Sequence, residues 1–100
     1  MSYATMPPEF QQAIIIAKQQ VRSGLQRRQF SNERGGIGDG PPLPRLPDGS
    51  EYVECDVGET REGDRGSRRV VFEVHTKSRQ ILETYYTGEH YSKFTFFRLV

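Results

Sequence analysis

The spacing of apolar positions changes once along the chain, near its middle. Between positions 7 and 22, Phe10, Ala13, Ile14, Ala17 and Val21 recur three or four residues apart, the 3.6-residue period of an amphipathic helix. Pro7 and Pro8 open this segment, Glu9 falls in its first turn and Gly24 stands where it should end, so start and stop signals agree with the period. Ile15 and Ile16 widen the apolar stripe, which suits a helix buried against a sheet. From Tyr52 onward the period drops to two. Val53, Cys55 and Val57 fall on one face of a strand over Tyr52–Val57, and Tyr52, Glu54 and Asp56 on the other. Arg68–His75, Gln80–Tyr86 and Tyr91–Val100 are further strand-like runs, and their short connections predict an antiparallel meander.

Between helix and strands, from about residue 30 to 50, lie Pro41, Pro42, Pro44 and Pro47, several glycines and hardly an apolar run. This reads as one long loop, and a loop of that length in a small domain is either disordered or functional. The expected fold is therefore α+β: one N-terminal helix (about 7–22) packed on a four- to five-stranded antiparallel sheet (51–100), with one sheet face covered and the other free for chemistry. A chain of 100 residues leaves room for a single domain with one core.

Composition narrows the function. Hydrophobic residues are 34% and mean hydropathy is −0.72, yet five Tyr and six Phe supply large groups for a core. Net charge is +1, made of +2 in residues 1–50 (six Lys/Arg, four Asp/Glu) and −1 in 51–100 (eight, nine). A broad basic field, the mark of non-specific nucleic-acid binders, is missing, so any such contact is a local pocket for one phosphate and one base. Cys55 is the only cysteine, which rules out an internal disulfide and reads as a small buried apolar group. No stretch reaches the length of a membrane span, and Met1–Pro8 has neither the basic start nor the apolar run of an export signal.

The chemistry concentrates in the second half. Glu54 stands mid-strand, Arg65-Gly66-Ser67-Arg68-Arg69 follows, and Tyr85-Tyr86-Thr87-Gly88-Glu89-His90-Tyr91 leads into the last strand. A carboxylate takes a proton from a 2′-hydroxyl, an imidazolium returns one to the departing 5′-oxygen, and guanidiniums hold the phosphate between them, with no metal required. Charged residues on an open sheet face are ordinarily just solvated. Arg69, however, has the strand parity to approach Glu54 from a neighbouring strand and keep it ionised. Arg65 and Arg69 are the expected phosphate fork, and Arg68, of opposite parity, is a surface cation. His90 is preferred to His75 as the acid, because it lies in a loop entering a strand whereas His75 ends one at the sheet rim. Of the tyrosines, Tyr85 and Tyr86 suit the core and Tyr91 a hydrogen bond to phosphate. Two distant histidines and one cysteine give no metal-ligand spacing, and nothing resembles a serine-nucleophile elbow.

On these residues the chain resembles the microbial guanyl-specific ribonucleases, the barnase and Streptomyces ribonuclease Sa group. The resemblance runs from Pro7-Pro8-Glu9 to about Phe97, strongest in Tyr52-Val53-Glu54, Arg65–Arg69 and the Tyr85–Tyr91 heptad, weaker in Phe30-Ser31-Asn32 and Leu43-Pro44. It implies the microbial ribonuclease fold, with Glu54 as general base, His90 as general acid, Arg65 and Arg69 on the phosphate and Tyr91 beside it. The reaction it implies is endonucleolytic cleavage of single-stranded RNA after guanosine, through a 2′,3′-cyclic phosphate, with no cofactor. Phe30, Ser31, Asn32, Glu33 and Arg34 would form the base-recognition loop. The family order there resembles Phe-Ser-Asn-Arg-Glu-Gly, whereas this chain has Glu33 before Arg34, which leaves base preference open. The resemblance also extends to toxin tips of polymorphic or contact-dependent effectors. It implies a monomer, secreted or delivered into target cells as part of a larger toxin, and neutralised by a barstar-like or other immunity protein. The competing reading is a non-catalytic RNA- or protein-binding module on the same fold, for which neither Glu54 nor His90 is needed.

Overall fold

The helical period becomes α1, Pro8–Arg22, in the computed structural model, which describes residues 2–32, 43–57, 69–87 and 96–100. Pro8 at the first helical position loses nothing by lacking an N–H there, and the Pro7 carbonyl accepts from the amides of Phe10 and Gln11 at 3.0 and 3.1 Å. At the far end Leu25 N–H donates to Gln20 O (2.9 Å) and Gly24 N–H to Val21 O (3.1 Å). Gly24, at φ 81°, takes the left-handed conformation this ending requires. Ile14, Ala17 and Val21 are buried, and Phe10 and Ala13 pack beside them.

Ile15 and Ile16 do not widen that stripe: they are 41% and 44% exposed. Each helical residue turns the side chain by about 100°. Ile15 therefore points almost opposite to the arc of Phe10, Ala13, Ile14, Ala17 and Val21, and Ile16 points well away from its centre.

The strands are β1 (Ser50–Asp56), β2 (Arg69–His75), β3 (Ile81–Thr87) and β4 (Phe97–Arg98). They form a four-stranded antiparallel meander in chain order. The last run, expected over Tyr91–Val100, is strand only at Phe97–Arg98 among its described residues. One face of the sheet, with Val53, Cys55, Val57, Val70, Phe72 and Val74, joins α1 in the main core.

The opposite face is not left bare. Phe30, Leu43, Tyr52 and Val71 form a second buried cluster, with Leu46, Tyr85 and Phe96 against it. The end of the long-loop region thus packs onto the sheet. Asn32 fastens it: its Nδ2 donates to Leu43 O at 2.7 Å and its Oδ1 accepts from Leu43 N–H at 2.9 Å. The Tyr52 hydroxyl donates to Pro44 O at 2.6 Å. Outside β1, residues 28–30 run antiparallel to it, with Glu54 N–H donating to Arg28 O (2.8 Å) and Phe30 N–H to Tyr52 O (2.9 Å).

Candidate active site

Strand parity and register bring the site together. Glu54, Asp56 and Tyr52 project to the face away from α1, because Val53 and Cys55 take the core side. Asp56 pairs in register with Arg69, and Arg69 with Thr87; in the next row Glu54 faces Val71 and Val71 faces Tyr85, itself opposite Arg98. Directly opposed residues of an antiparallel sheet share a face. Two adjoining rows therefore carry Asp56, Arg69 and Thr87, then Glu54, Val71, Tyr85 and Arg98.

Arg69 is wholly buried, and its Nε lies 2.8 Å from Asp56 Oδ1. A buried guanidinium needs an anion at hand, since an unpaired buried charge costs several kcal/mol. Asp56, which the pattern reading left without a role, is that anion. The Glu54 side chain is 13% exposed, open enough to be reached and closed enough to be held. Arg28 stands over both carboxylates, with Nε 3.9 Å from Glu54 Oε1 and Nη1 3.6 Å from Asp56 Oδ1. The arrangement alternates in sign: Glu54, Arg28, Asp56, Arg69.

Beside this cluster, at the outer edge of β1, a hollow of about 490 Å³ is lined by Gln29, Phe30, Asn32, Arg45, Leu46, Ser50, Glu51 and Tyr52. Glu54 is not in its wall but stands on the same strand face as Tyr52. Phe30 is mostly committed to packing, edge-on to Tyr52 and Phe96 with centroids 6.3 and 5.6 Å away. Asn32 directs its amide to the backbone at Leu43, so both residues shape the wall. Burial, helped by Tyr85 and Glu73, holds the Tyr52 hydroxyl in its protonated form well above the ordinary phenol range.

A family model described as ribonuclease matches residues 1–98. The chain belongs to the ribonuclease family. No curated protein and no solved structure gives a significant match.

Of the residues expected at the site of this ribonuclease, Glu54 and Arg69 lie in adjoining rows of one face, and Phe30 and Asn32 line the neighbouring hollow. Ser31 is exposed between them. Arg65, His90, Tyr91, Glu33 and Arg34 lie outside the described residues, as does Arg68. His75 sits at the rim, its Nδ1 accepting from Ser78 N–H at 3.2 Å, in keeping with a turn role. Tyr85 packs on the second cluster and Tyr86 on the main core. Cys55 is buried, and burial, with Asp56 next to it, pushes its thiol up to about 12. Among the described residues no group of three or more His, Cys, Asp or Glu is placed to hold a metal ion, and no helix is long and apolar enough to cross a membrane.

Two residues of the cluster escaped the pattern reading. Asp56 was legible in principle, since period two puts it on the face of Glu54. Arg28 had no such signal, because only the non-local pairing of 28–30 with β1 brings it there.

Proposed function

We propose that this ribonuclease cuts single-stranded RNA internally by acid–base transphosphorylation, without a metal. Glu54 takes the proton from the 2′-hydroxyl, whose oxygen attacks the phosphorus. His90 gives a proton to the 5′-oxygen as its bond to phosphorus breaks. The products are a 2′,3′-cyclic phosphate and a free 5′-hydroxyl, and water then opens the ring more slowly with the two roles exchanged. Arg69 and Arg65 stabilise the charge that grows on the non-bridging oxygens, and Tyr91 donates to one of them.

The observation that carries this reading is the position of Glu54: a partly exposed carboxylate on the sheet face away from α1, with a buried guanidinium in the adjoining row and a half-exposed one 3.9 Å away. A merely solvated glutamate has no need of such surroundings. The hollow beside Tyr52 suits a nucleobase, and the Phe30-Ser31-Asn32 motif favours guanosine there, with Glu33 and Arg34 reading its edge. A larger toxin with a barstar-like or other immunity protein is the setting that fits such a domain, the inhibitor offering acidic groups to a cationic site.

Cleavage of RNA in EDTA by the wild type, Glu54→Gln and His90→Ala tests the mechanism. Full activity of the wild type, strong loss in both variants and a bell-shaped pH profile are expected. Cleavage undiminished in either variant removes that residue from the mechanism. Binding without any cleavage points instead to a silent RNA-binding module. Products from the dinucleotides GpN, ApN, CpN and UpN settle base preference, and equal rates for all four would end the guanosine assignment.

A further inference from the structure

We infer that Arg28 contacts the phosphodiester of the RNA directly, a contact that rests on the ribonuclease reading above and adds to it a cation supplied from outside the four-stranded sheet. The first ground is placement. Glu54 N–H donates to Arg28 O at 2.8 Å and Gln29 bridges to Val53, so Arg28 stands opposite Glu54 as the next position in its row. Side chains alternate along this extended segment. Phe30 turns into the second cluster, Gln29 reaches back to Glu51 with Nε2 3.3 Å from Oε2, and Arg28 shares the face of Phe30 and Glu54.

The second ground is what the guanidinium does there. Its distances to Glu54 and Asp56, 3.9 and 3.6 Å, exceed hydrogen-bond length. The two carboxylates keep the charge nearby without consuming its donors. Its side chain is 46% exposed, against 0% for Arg69. Among the described residues, Arg69 is held inside the sheet, whereas Arg28 stands at the surface beside Glu54 with N–H groups available to an incoming anion. A phosphate offers two oxygens to that fork, and exchanging loose carboxylate contacts for a bidentate phosphate contact is favourable. Arg98, at the other end of the row, is 3.8 Å from Glu83 and three strands away from Glu54.

The test is binding and cleavage together. A 2′-deoxy oligonucleotide containing deoxyguanosine lacks the attacking hydroxyl, so its affinity reports contacts alone, measured by fluorescence anisotropy over a range of salt. Arg28→Ala is expected to weaken this binding about tenfold at low salt and to lower the slope of log K against log[salt] by about one. Arg28→Lys should restore the slope, since the charge remains, but only part of the affinity, since the fork is lost. Unchanged affinity and slope in Arg28→Ala, beside a wild type that cleaves RNA, would overturn the contact. So would a fall in kcat with binding untouched, which is the signature of a residue that only positions Glu54. If instead the wild type neither binds the oligonucleotide nor cleaves RNA, the ribonuclease mechanism itself fails and the role of Arg28 falls with it.

Discussion

At the scale of single residues, two carboxylates on one strand do different work. Glu54 is reachable and is assigned to proton transfer; Asp56 neutralises a guanidinium that has no access to water. Glu54→Gln keeps the shape and loses the base, so kcat/KM should fall on the order of 10²–10⁴-fold with little change in the urea midpoint. Asp56→Ala should show the reverse ranking in stability, losing about 3 kcal/mol because the buried Arg69 guanidinium loses the carboxylate 2.8 Å from its Nε. Equal midpoints for the two variants would separate Arg69 from Asp56. Asn32 gives a third test. Its side chain both donates to and accepts from Leu43, which is buried. Asn32→Ala leaves that amide without a partner, and a loss of about 1–3 kcal/mol is expected in chemical unfolding. A midpoint like the wild type's would show that this clasp contributes nothing.

At the scale of elements, α1 shows how a stripe with too many apolar positions resolves. Three adjacent isoleucines offer two faces, and packing accepts one. Ile14→Ala should cost about 2–5 kcal/mol, whereas Ile16→Lys should stay within about 0.5 kcal/mol of wild type. A large loss at Ile16 would mean that something covers that side of the helix. The helix end is tied to the sheet by Arg79, whose Nε donates to Val21 O at 3.1 Å, Nη2 to Gln26 O at 3.2 Å and Nη1 to Glu51 Oε1 at 2.9 Å. A cation on the last carbonyls also complements the negative end of the helix dipole. Gly24 makes the turn away from α1 possible. Gly24→Ala should cost about 1 kcal/mol through its positive φ, with the new Cβ meeting the movable Arg27 side chain, nearest at Nη2, 3.0 Å away. The segment released by that turn is the one that runs along β1 and carries Arg28 to Glu54. The element thus acts on the site through the direction in which it ends.

At the scale of the whole molecule, the two clusters on either side of one sheet make stability sensitive to alkali. Burial, then Asp56, raises the Cys55 thiol from 9.0 to about 12. Burial, then Tyr85 and Glu73, raises the Tyr52 phenol, and burial, then Glu83 and Glu73, raises that of Tyr85 above 10.0. In the unfolded chain these groups ionise at their ordinary values, so above about pH 9 the folded form holds more protons than the unfolded one. Stability is complete below that pH and is lost as pH rises toward 12. Urea midpoints measured from pH 8 to 11 should fall, and should fall less in Cys55→Ala and Tyr52→Phe. A flat profile would mean that these groups are solvated in the folded state.

Local chemistry alone was enough for the helix with its core face, for strand parity, and for Glu54 on the side away from Cys55. Each depends on a repeat of 3.6 or two residues, which neighbours in the chain specify without help. The heptad from Tyr85 to Tyr91 and the Glu54 strand also carried the family resemblance, which the match over residues 1–98 bears out at the level of ribonuclease. Contacts between distant parts of the chain settled the rest. That Phe30 and Leu43 close over the second face and that Arg28 stands against Glu54 follow from segments far apart in sequence being forced to share one sheet. No periodicity encodes such pairings, because their free energy exists only once the sheet has formed.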